Sequence, residues 1–574
     1  MAQRVADLLV DVLANAGVER VYGVSGDSLN GITDAIRTQK QMKWIHVRHE
    51  ETAAFAAGAE AHLTGKLAVC AGSCGPGNMH LINGLYDCQR SRVPVVAIAA
   101  QIPSSEIGSG YFQETHPEYL FGQCSDYCEL VSHPEQMPRN LEIAIQTAVS
   151  RRGVAVVAIP GDVALKAAVI DSPRLRFPPP NPTLRPSDEE IEALAKVLNE
   201  SKKITIFGGA GCAGAHSELI ALAGKLNAPI VHAMRGKEFI EYDNPFDAGM
   251  TGLLGFSSGY HAMMDCDLLL LLGTDFPYQQ FFPKDAKIVQ VDIRGEQLGR
   301  RTKVDYGFVG DVRATLAALM PKLKQNQDGE HLKASREHYR NARKSLDDLA
   351  TKSSGNKPIH PQYVAKIADE LAAEDAIFTC DVGTPTIWAA RYLKMNGKRR
   401  LLGSFNHGSM ANAVPQAIGA QVSYPGRQVI TLSGDGGLAM LMGDLLSLRQ
   451  LNAPVKIIVF KNDALGFVEL EMKAAGIVDF GTDLQNPDFA KMAEAAGLLG
   501  LTAGTAEQVH PMIEQALNHN GPALVEIPVS RQELSMPPTI TLEQMRGFSL
   551  FALKAILSGR GDEIVDLAKI NLFR

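Results

Sequence analysis

Asp435 and Asn462 are the two side chains whose types and spacing most clearly predict chemistry in this chain. Each follows an apolar run, at residues 429–432 and 455–460, that predicts a buried strand, and residues 438–451 between them predict a helix. Parallel strands joined by a helix end at the same edge of a sheet, where ligands of open α/β sheets bind. A GDG turn alone is common. With the Asn at this spacing, it suits Mg²⁺ holding a diphosphate, because Mg²⁺ prefers oxygen ligands and Gly436 and Gly437 let the backbone approach phosphate.

The elements that must position these residues fall into three large segments and a tail. The chain has 574 residues, of which 21% are charged, and a net charge of −7, so we expect several globular domains and no nucleic-acid partner. Breaks rich in Pro, Gly, Ser or Lys occur at residues 172–188, 351–361 and 536–538. We predict domains at residues 1–180, 183–335 and 336–531, and a tail at 532–574. Strand-like and helical patterns alternate in all three, which predicts three doubly wound parallel-sheet α/β domains.

The first segment carries strand-like runs at residues 21–24, 67–71, 93–100 and 154–159, and the third repeats that rhythm, which only suggests a duplication. Eight cysteines occur without a CxxC pair, so we interpret them as small buried side chains in a reducing cytoplasm. The N-terminal residues show no signal-peptide pattern, and the apolar runs are too short to span a bilayer.

The middle segment contains a G-x-G-x-x-G pattern at residues 209–214, after a predicted strand at 204–207. The acidic residue that a dinucleotide site requires about twenty positions later is missing, so the NAD interpretation fails. Other strand-end loops are more informative. The run 268–272 leads into residues 273–278, the run 288–291 ends at Asp292, and a glycine-rich piece at 251–255 precedes both.

Three further places combine chemical side chains with helical patterns. Glu50 precedes a small-residue helix at residues 52–61, where an acidic first turn is by itself ordinary. Met410 precedes a small-residue run at 411–420, where a Met usually packs in the core. Phe467 and Glu471 share one face of a predicted helix, and an ordinary amphipathic helix is the alternative.

The C-terminal tail is basic on an acidic protein. Residues 545–574 hold five basic and three acidic residues, a net charge of +2. Apolar side chains recur at helical spacing, namely Phe548, Phe551, Ala552, Ala555 and Ile556. A basic amphipathic helix suits an anionic membrane surface, whereas a helix docked on the body is equally compatible with the composition.

The GDG followed by Asn at this distance resembles the signature of thiamin diphosphate enzymes. The resemblance implies that Asp435, Asn462 and the carbonyl of Ala464 bind Mg²⁺. It implies that Glu50 hydrogen-bonds the aminopyrimidine ring and that Met410 forces the bent cofactor conformation. Other residues implied at thiamin diphosphate are Gly408, Ser409, Gly436, Gly437, Leu465, Gly466, Phe467 and Val468.

The middle segment resembles that of the flavin-carrying members of this family. The resemblance implies FAD across the strand ends, with Asp292 binding an adenosine ribose hydroxyl. Two loops would line the flavin and its phosphates: Gly252, Leu253, Leu254 and Gly255, and Asp275, Phe276, Pro277, Tyr278 and Gln279. In pyruvate oxidases of the family, an aromatic residue at the place of Phe467 contacts the reaction intermediate, and a residue like Glu471 positions substrate.

From residues 48–51 to the tail at 558–563, the whole chain resembles the bacterial pyruvate:quinone oxidoreductases, which are peripheral membrane flavoenzymes. That implies oxidation of pyruvate to acetate and CO₂, with electrons passing through FAD to a membrane quinone such as ubiquinone. It also implies a homotetramer at the cytoplasmic face of the inner membrane. The tail would be autoinhibitory, docking at rest and binding phospholipid once pyruvate reduces the flavin. One departure is Lys461, where the family often has a second Asn.

Two alternatives remain at this point. A non-redox enzyme such as an acetolactate synthase would keep FAD as an architectural relic, without needing a lipid-seeking tail. A non-catalytic membrane-docking protein on a thiamin-enzyme fold would have no need for Glu50, Asp435 and Asn462 together.

Overall fold

The computed structural model describes residues 3–169, 183–353, 358–531, 533, 542–557, 564 and 567. It contains three six-stranded sheets, one for each large segment, and the strands within each sheet pair in parallel. This confirms the predicted class of three parallel-sheet α/β domains. Most of the first predicted break, part of the second and all of the third lie outside the described residues.

The first domain has the strand order β2-β1-β3-β4-β6-β5. Its strands are β1 (Arg20–Gly23), β2 (Lys43–His46), β3 (Ala68–Gly72), β4 (Val95–Gln101), β5 (Tyr127–Leu130) and β6 (Val154–Pro160). Its helices are α1 (Val5–Asn15), α2 (Asn30–Gln39), α3 (Glu50–Thr64), α4 (Pro76–Ser91), α5 (Pro117–Leu120), α6 (Met137–Arg151) and α7 (Gly161–Leu165). The four runs predicted as strands correspond to β1, β3, β4 and β6. The other two, β2 and β5, are the sheet edges, whose partly exposed side chains leave no continuous apolar run.

The middle domain has the order β12-β11-β10-β7-β8-β9, so its chain connections reverse direction between β7 and β10. Its strands are β7 (Ile204–Gly208), β8 (Ile230–His232), β9 (Asp247–Met250), β10 (Leu268–Leu272), β11 (Lys287–Asp292) and β12 (Tyr306–Val309). Its helices are α8 (Asp188–Glu200), α9 (His216–Leu226), α10 (Lys237–Ile240), α11 (Ser257–Met264), α12 (Val312–Leu319) and α13 (Glu330–Leu349). The reversal opens a crevice at the carboxyl ends of β7 and β10, the usual ligand position of such sheets.

The third domain has the order β14-β13-β15-β16-β18-β17. Its strands are β13 (Ile377–Cys380), β14 (Arg400–Gly403), β15 (Val429–Gly434), β16 (Lys456–Lys461), β17 (Leu499–Thr502) and β18 (Ala523–Pro528). Its helices are α14 (Pro361–Leu371), α15 (Thr384–Tyr392), α16 (Ala413–Ser423), α17 (Asp435–Met440), α18 (Leu445–Gln450), α19 (Gly466–Ala474), α20 (Phe489–Ala495) and α21 (Ala506–Asn518). Apolar side chains of α3 and α16 share one core cluster, so the first and third domains pack tightly together.

Two predicted helices of the third domain differ in the structure. The helix expected over residues 438–451 is divided into α17 and α18, because the backbone at Leu441, with a φ of −123°, leaves the helical conformation. Between the two helices, the Asp444 carboxylate accepts hydrogen bonds from the Arg48 backbone N and the Thr52 hydroxyl of the first domain. The helix expected from residue 411 begins at Ala413 instead. Ala411 has a φ of 62°, which interrupts a helix, so Met410 lies in the preceding loop.

The boundary predicted between residues 335 and 336 falls inside α13, which is one continuous helix. A last described helix, α22 (Leu542–Leu557), lies in the predicted tail. Among the residues that the structure describes, no helix combines the length and apolar character needed to cross a bilayer.

Candidate functional site

Asp435 and Asn462 follow β15 and β16, which are neighbours in the third sheet, so both lie at its carboxyl edge. The Asp435 side chain is buried, and its Oδ1 accepts a hydrogen bond from the Gly436 backbone N at 2.9 Å. Its Oδ2 accepts from the backbone N of Asn462 at 3.1 Å and of Asp463 at 2.6 Å, and from Nδ2 of Asn486 at 2.9 Å. The structure therefore brings the predicted pair together.

The donor set at this edge fits Mg²⁺. Burial raises the pKa of Asp435 to about 6, against the hydrogen bonds that it accepts. A cation beside the carboxylate would relieve this cost, because it favours the ionised form. The amide Oδ1 of Asn462 lies 3.3 Å from the backbone N of Ala464. Asp435, Asn462 and the Ala464 carbonyl offer the hard oxygen ligands that Mg²⁺ prefers, so these three residues would hold the ion.

Two glycines near the carboxyl ends of β15 and β16 keep open a space that a larger residue would occupy. A Cβ at Gly466 would lie 2.6 Å from Nδ2 of Asn462, and a Cβ at Gly437 would lie 2.5 Å from Oδ2 of Asp381. Asp381 follows β13, is buried, and accepts a hydrogen bond from the Ala413 backbone N at 3.0 Å. Because connections reverse direction between β13 and β15, this is the crevice of the third sheet, and its bare backbone suits phosphate.

Three apolar side chains surround Gly436. A Cβ at that glycine would lie 3.3 Å from Cε of Met410, 3.3 Å from Cδ2 of Leu465 and 3.1 Å from Cδ1 of Leu484. Met410 and Leu465, predicted from separate motifs, therefore meet beside the Asp435 edge, and Leu484 joins them. They form an apolar wall next to the oxygen ligands.

Glu50 begins α3 and is 7% exposed. Its Oε2 lies 2.9 Å from Nδ1 of His80, whose ring stacks on that of His49 at a centroid distance of 4.3 Å. A Cβ at Gly77 would lie 2.9 Å from its Oε1, so a glycine is required where the first turn of α4 passes the carboxylate. The predicted acid is thus held in a defined position in the first domain.

The loop of Gly408 and Ser409 contacts the first domain of the same chain. Asn83 Nδ2 donates to Ser409 Oγ and to Oε1 of Glu51, both at 2.8 Å, and its Oδ1 lies 2.8 Å from Nε2 of His407. Asn83 therefore joins the two domains beside the start of α3. Gly408 adopts a φ of 86°, which favours glycine at that turn.

The predicted flavin residues lie along the carboxyl edge of the middle sheet. Asp292 ends β11 and is 3% exposed, and it accepts a hydrogen bond from the Arg294 backbone N at 3.0 Å. Burial raises its pKa. Asp275 follows β10 and pairs with Arg301 at 3.1 Å. Burial lowers the pKa of Arg92 of the first domain, and the charges of Arg294, Asp275 and Asp292 also act on it, which places its guanidinium near this region.

The two loops predicted at the flavin contain both exposed and buried side chains. Pro277, Tyr278 and Gln279 are exposed, and so is Leu253. Phe276 instead packs edge-on against Phe207, Phe281 and Phe282 in the core, and Leu254 packs against the third domain. A Cβ at Gly252 would lie 2.9 Å from the Phe276 ring. Phe276, which is buried, and Leu254, which is partly buried, therefore pack on the protein side of these loops and support them.

The glycine pattern at residues 209–214 has a packing role. The Gly211 backbone N donates to the Gly273 carbonyl at 2.9 Å, and a Cβ at either residue would collide with the other's backbone. Glycines are needed here because the loops after β7 and β10 touch at the crevice.

The short helix α19 lies between several predicted sites. Its first residue, Gly466, touches Asn462. Phe467 packs partly against the core of the third domain, whereas Val468 and Glu471 are exposed. Burial raises the pKa of Tyr278, and the negative charge of Glu471 raises it further, so α19 and the predicted flavin loop are near enough for their charges to interact.

The C-terminal helix α22 packs on α19. The Lys473 ammonium lies 5.3 Å from the centre of the Phe551 ring, and Nζ of Lys554 donates to the Gly476 carbonyl at 2.8 Å. Beneath this contact, the buried carboxylate of Glu469 accepts from Lys473 at 2.6 Å and from Arg531 at 3.2 Å. Of the apolar tail residues predicted on one face, Phe551 and Ala555 are buried against the body, whereas Ile556 is 59% exposed.

Sequence reasoning missed several residues that shape these sites. Asn486 and Leu484 come from a loop without an apolar pattern, and Asn83 and His80 from inside α4. None carries a local signal, because only the folded chain brings them to Asp435, Gly436, Ser409 and Glu50. Asp381 had a usable signal, since it too directly follows an apolar strand.

Three family profiles match the chain, one for each domain. Residues 3–120 match the N-terminal TPP binding domain of thiamine pyrophosphate enzymes, residues 191–319 their central domain, and residues 381–527 their C-terminal TPP binding domain.

Full-length relatives agree with these matches. YdaP of Bacillus subtilis (strain 168), named provisionally as a thiamine pyrophosphate-containing protein, is 36% identical over 573 residues, which is 99% of each chain. A pyruvate oxidase of Lactiplantibacillus plantarum is 31% identical over 90% of this chain and 87% of its own. An acetolactate synthase of Mycobacterium bovis is 30% identical over 89% and 85%, respectively.

Proposed function

This chain belongs to the thiamine pyrophosphate enzyme family, and we propose that it oxidises pyruvate to acetate and CO₂. In the proposed reaction, pyruvate and water yield acetate, CO₂, two protons and two electrons. The electrons pass through FAD to a membrane quinone, which takes up two protons as it is reduced to the quinol. The similarity to a protein named pyruvate oxidase supports pyruvate as the substrate. The arrangement around α19 supports the redox step.

Each cofactor has a set of residues that would hold it. When bound, thiamin diphosphate would supply a nucleophilic carbon that adds to a 2-oxo acid and a thiazolium ring that accepts the electron pair released with CO₂. Asp435, Asn462 and the Ala464 carbonyl would hold Mg²⁺ with the diphosphate at the carboxyl edge of the third sheet. Glu50 would hold the aminopyrimidine, and Met410 would support the thiazolium ring from the apolar wall.

The position of α19 is the single observation that carries the oxidase proposal. Gly466 at its start lies against Asn462, the proposed Mg²⁺ ligand, and the pKa of Tyr278 in the predicted flavin loop is raised by burial and by the negative charge of Glu471 farther along the helix. One helix therefore joins the place where pyruvate would lose CO₂ to the place where electrons would enter FAD. Phe467 and Glu471 on this helix are the residues that we assign to substrate positioning.

The middle domain supports FAD as the electron carrier. Its crevice, at the reversal between β7 and β10, is flanked by Asp292 and by the exposed side chains of Leu253, Tyr278 and Gln279. A buried carboxylate at the end of β11 suits a ribose hydroxyl, since it accepts hydrogen bonds from neutral donors. Arg92 and Arg294 beside it provide positive charge for the phosphates.

The outer side of α22 supports the quinone as acceptor. Met545, Leu550, Leu553, Ile556 and Leu557 on this helix are between 43% and 79% exposed. Quinones dissolve in lipid, so an enzyme that reduces them must reach a bilayer, and exposed apolar side chains on an amphipathic helix bind the lipid interface. We propose that α22 and the rest of the tail dock phospholipid at the cytoplasmic face of the membrane, and that the enzyme is a homotetramer whose several tails add avidity.

The first test is anaerobic mixing of the full-length protein, loaded with Mg²⁺, thiamin diphosphate and FAD, with pyruvate. Loss of the visible absorption of oxidised flavin is the expected result, because the decarboxylated substrate reduces FAD. A flavin that stays oxidised while CO₂ is released would favour an acetolactate synthase-like carboligation. Failure to bind any flavin would overturn the assignment of the middle domain.

The lipid proposal is tested separately on α22. Leu553→Asp and Ile556→Asp should reduce sedimentation with vesicles containing anionic phospholipid and slow quinone reduction, while pyruvate still bleaches the flavin. Ser549→Asp, an exposed position on the same helix, controls for the added charge. Unchanged vesicle binding in both apolar-face variants would remove α22 from the membrane contact.

A further inference from the structure

A buried arginine of the third domain holds the predicted flavin loop of the middle domain. Arg391, in the last turn of α15, is 5% exposed. Its Nε donates to the Leu254 carbonyl at 3.0 Å, and its Nη2 lies 3.5 Å from the Gly255 carbonyl. Burial lowers its pKa to about 10, so the guanidinium is still charged at neutral pH. These carbonyls belong to the glycine-rich loop of residues 252–255.

The other end of the same helix touches the Mg²⁺ edge. The side chain of Thr384 lies 3.3 Å from where a Cβ at Gly466 would be, and that of Pro385 lies 3.6 Å from the corresponding position at Gly434. Gly434 precedes Asp435, and Gly466 touches Asn462. Since α15 has nine residues, it spans about 13 Å between the two predicted cofactor sites.

The contact at Arg391 is reinforced from a third side. Arg343 of α13 donates to the Arg391 carbonyl, and its guanidinium lies over the rings of Phe256 and Tyr392 at 5.6 and 5.3 Å. Phe256 directly follows the loop and packs in one apolar cluster with Ala390. The loop and the last turn of α15 therefore behave as one packed unit.

Burying a guanidinium carries a desolvation penalty, and apolar side chains would fill the same space without it. A plain packing role therefore does not account for Arg391. Its hydrogen bonds instead fix the position of the backbone of the 252–255 loop relative to α15, which an apolar side chain cannot do.

We propose that Arg391 is a positioning residue that couples the two cofactor sites through α15. Ordering of the strand-end loops by thiamin diphosphate and Mg²⁺ fixes the first turn of α15, and Arg391 transmits that position to the flavin loop. Each cofactor then binds more tightly when the other is present, by the same factor in both directions. This inference rests on the proposed use of both cofactors.

The coupling is measured on the wild-type apoprotein. FAD is titrated by its fluorescence with and without saturating thiamin diphosphate and Mg²⁺, at a protein concentration where sedimentation shows the same oligomeric state in both. We expect the Kd for FAD to fall roughly 10-fold when thiamin diphosphate is present. The reverse titration should give the same factor. A change within about twofold would overturn the coupling, whatever the variants do.

Substitutions then test the route. Arg391→Met keeps most of the side-chain volume but removes both hydrogen bonds, so the two Kd values for FAD should converge, while Arg391→Lys should retain part of the difference. Arg427→Met is the matched control, because Arg427 donates to the Asp375 and Lys398 carbonyls within its own domain. Undiminished coupling in Arg391→Met, or equal loss in Arg427→Met, would refute the role of Arg391. Wild-type protein that binds no FAD under either condition would overturn the proposed function itself, whereas FAD binding without coupling would overturn only this inference.

Discussion

The first and third domains use one scaffold for two different tasks. Their strand orders, β2-β1-β3-β4-β6-β5 and β14-β13-β15-β16-β18-β17, are identical when strands are counted within each domain. The corresponding helices α3 and α16 pack on each other in one core cluster. Their carboxyl edges differ. After β15 the chain places Asp435, whereas after β3 it turns through Ser73 and Gly75 into the long helix α4.

The difference shows where the chemistry of this fold lies. The first domain offers the buried carboxylate of Glu50 at the start of α3, and the third offers Asp435 and Asn462 on adjacent strand ends. A common sheet therefore supports a proposed pyrimidine site in one domain and a proposed diphosphate site in the other. A few loop residues determine which ligand each edge binds.

The largest predicted effect removes what the third domain has and the first lacks. Asp435→Asn should lower pyruvate turnover roughly 1,000-fold, because an amide cannot supply the negative charge that ligates Mg²⁺. The amide NH₂ of the variant also faces N–H groups that donate to Asp435 in the wild type, so thermal unfolding of the cofactor-free protein is measured in parallel to separate loss of Mg²⁺ binding from loss of stability. Asp463→Asn, an exposed neighbour, is the control. Near-normal thiamin diphosphate binding by Asp435→Asn would contradict the assigned ligand.

The second prediction concerns the packing of the corresponding helices. A Cβ at Gly419 of α16 would collide with the Ala56 carbonyl of α3, so Gly419→Ala should lower the free energy of unfolding by about 3 kcal/mol, as overpacking does. Gly426→Ala, where a Cβ meets nothing within 4 Å, should change it by less than about 0.5 kcal/mol. Denaturant titration of the apoproteins measures both. Equal stability of the two variants would mean that the contact between α3 and α16 contributes little to the stability of the protein.

The third prediction disturbs the third domain's edge without removing a ligand. Gly466→Ala places a Cβ against Nδ2 of Asn462, so thiamin diphosphate affinity in the presence of Mg²⁺ should fall by roughly 10- to 100-fold. Gly443→Ala, with open space around its Cβ, should bind normally. Titration followed by protein fluorescence measures the affinities. An unaffected Gly466→Ala would show that the position of Asn462 does not limit binding.

The smallest effect is a pH dependence at the contact between the two domains. Asp87 of α4 accepts hydrogen bonds from Ser404 Oγ at 2.8 Å and from Gln416 Nε2 at 3.4 Å. Burial raises its pKa from 3.8 to about 6, so its contribution to stability is present below pH 3.8 and is lost as the pH rises through about 6. As the pH rises from 4 to 7, the free energy of unfolding of Asp87→Asn should therefore increase by at least about 1 kcal/mol relative to that of the wild type. Parallel stability curves for the two proteins over this range would contradict the shift.

Much of this molecule could be predicted from local sequence. The strands beneath Asp435, Asn462 and Asp292 are continuous apolar runs, and residues that follow parallel strands must share one edge of a sheet. The edge strands β2 and β5 could not be found in this way, since their side chains are partly exposed. Met410 was expected at a helix start and lies in a loop, because the φ of Ala411 depends on its surroundings.

The sequence by itself determined three parallel-sheet domains and the strand ends that carry Asp435, Asn462 and Asp292, because periodicity and strand termini are local properties of the chain. Only the tertiary structure decided which distant groups complete each site. Asn486 reaches Asp435 across 51 positions, and Arg391 reaches the Leu254 carbonyl across 137. Such contacts leave no pattern in the local sequence, because they depend on how whole domains and the C-terminal helix pack against each other. The same packing places α19 between the proposed cofactor sites and the tail.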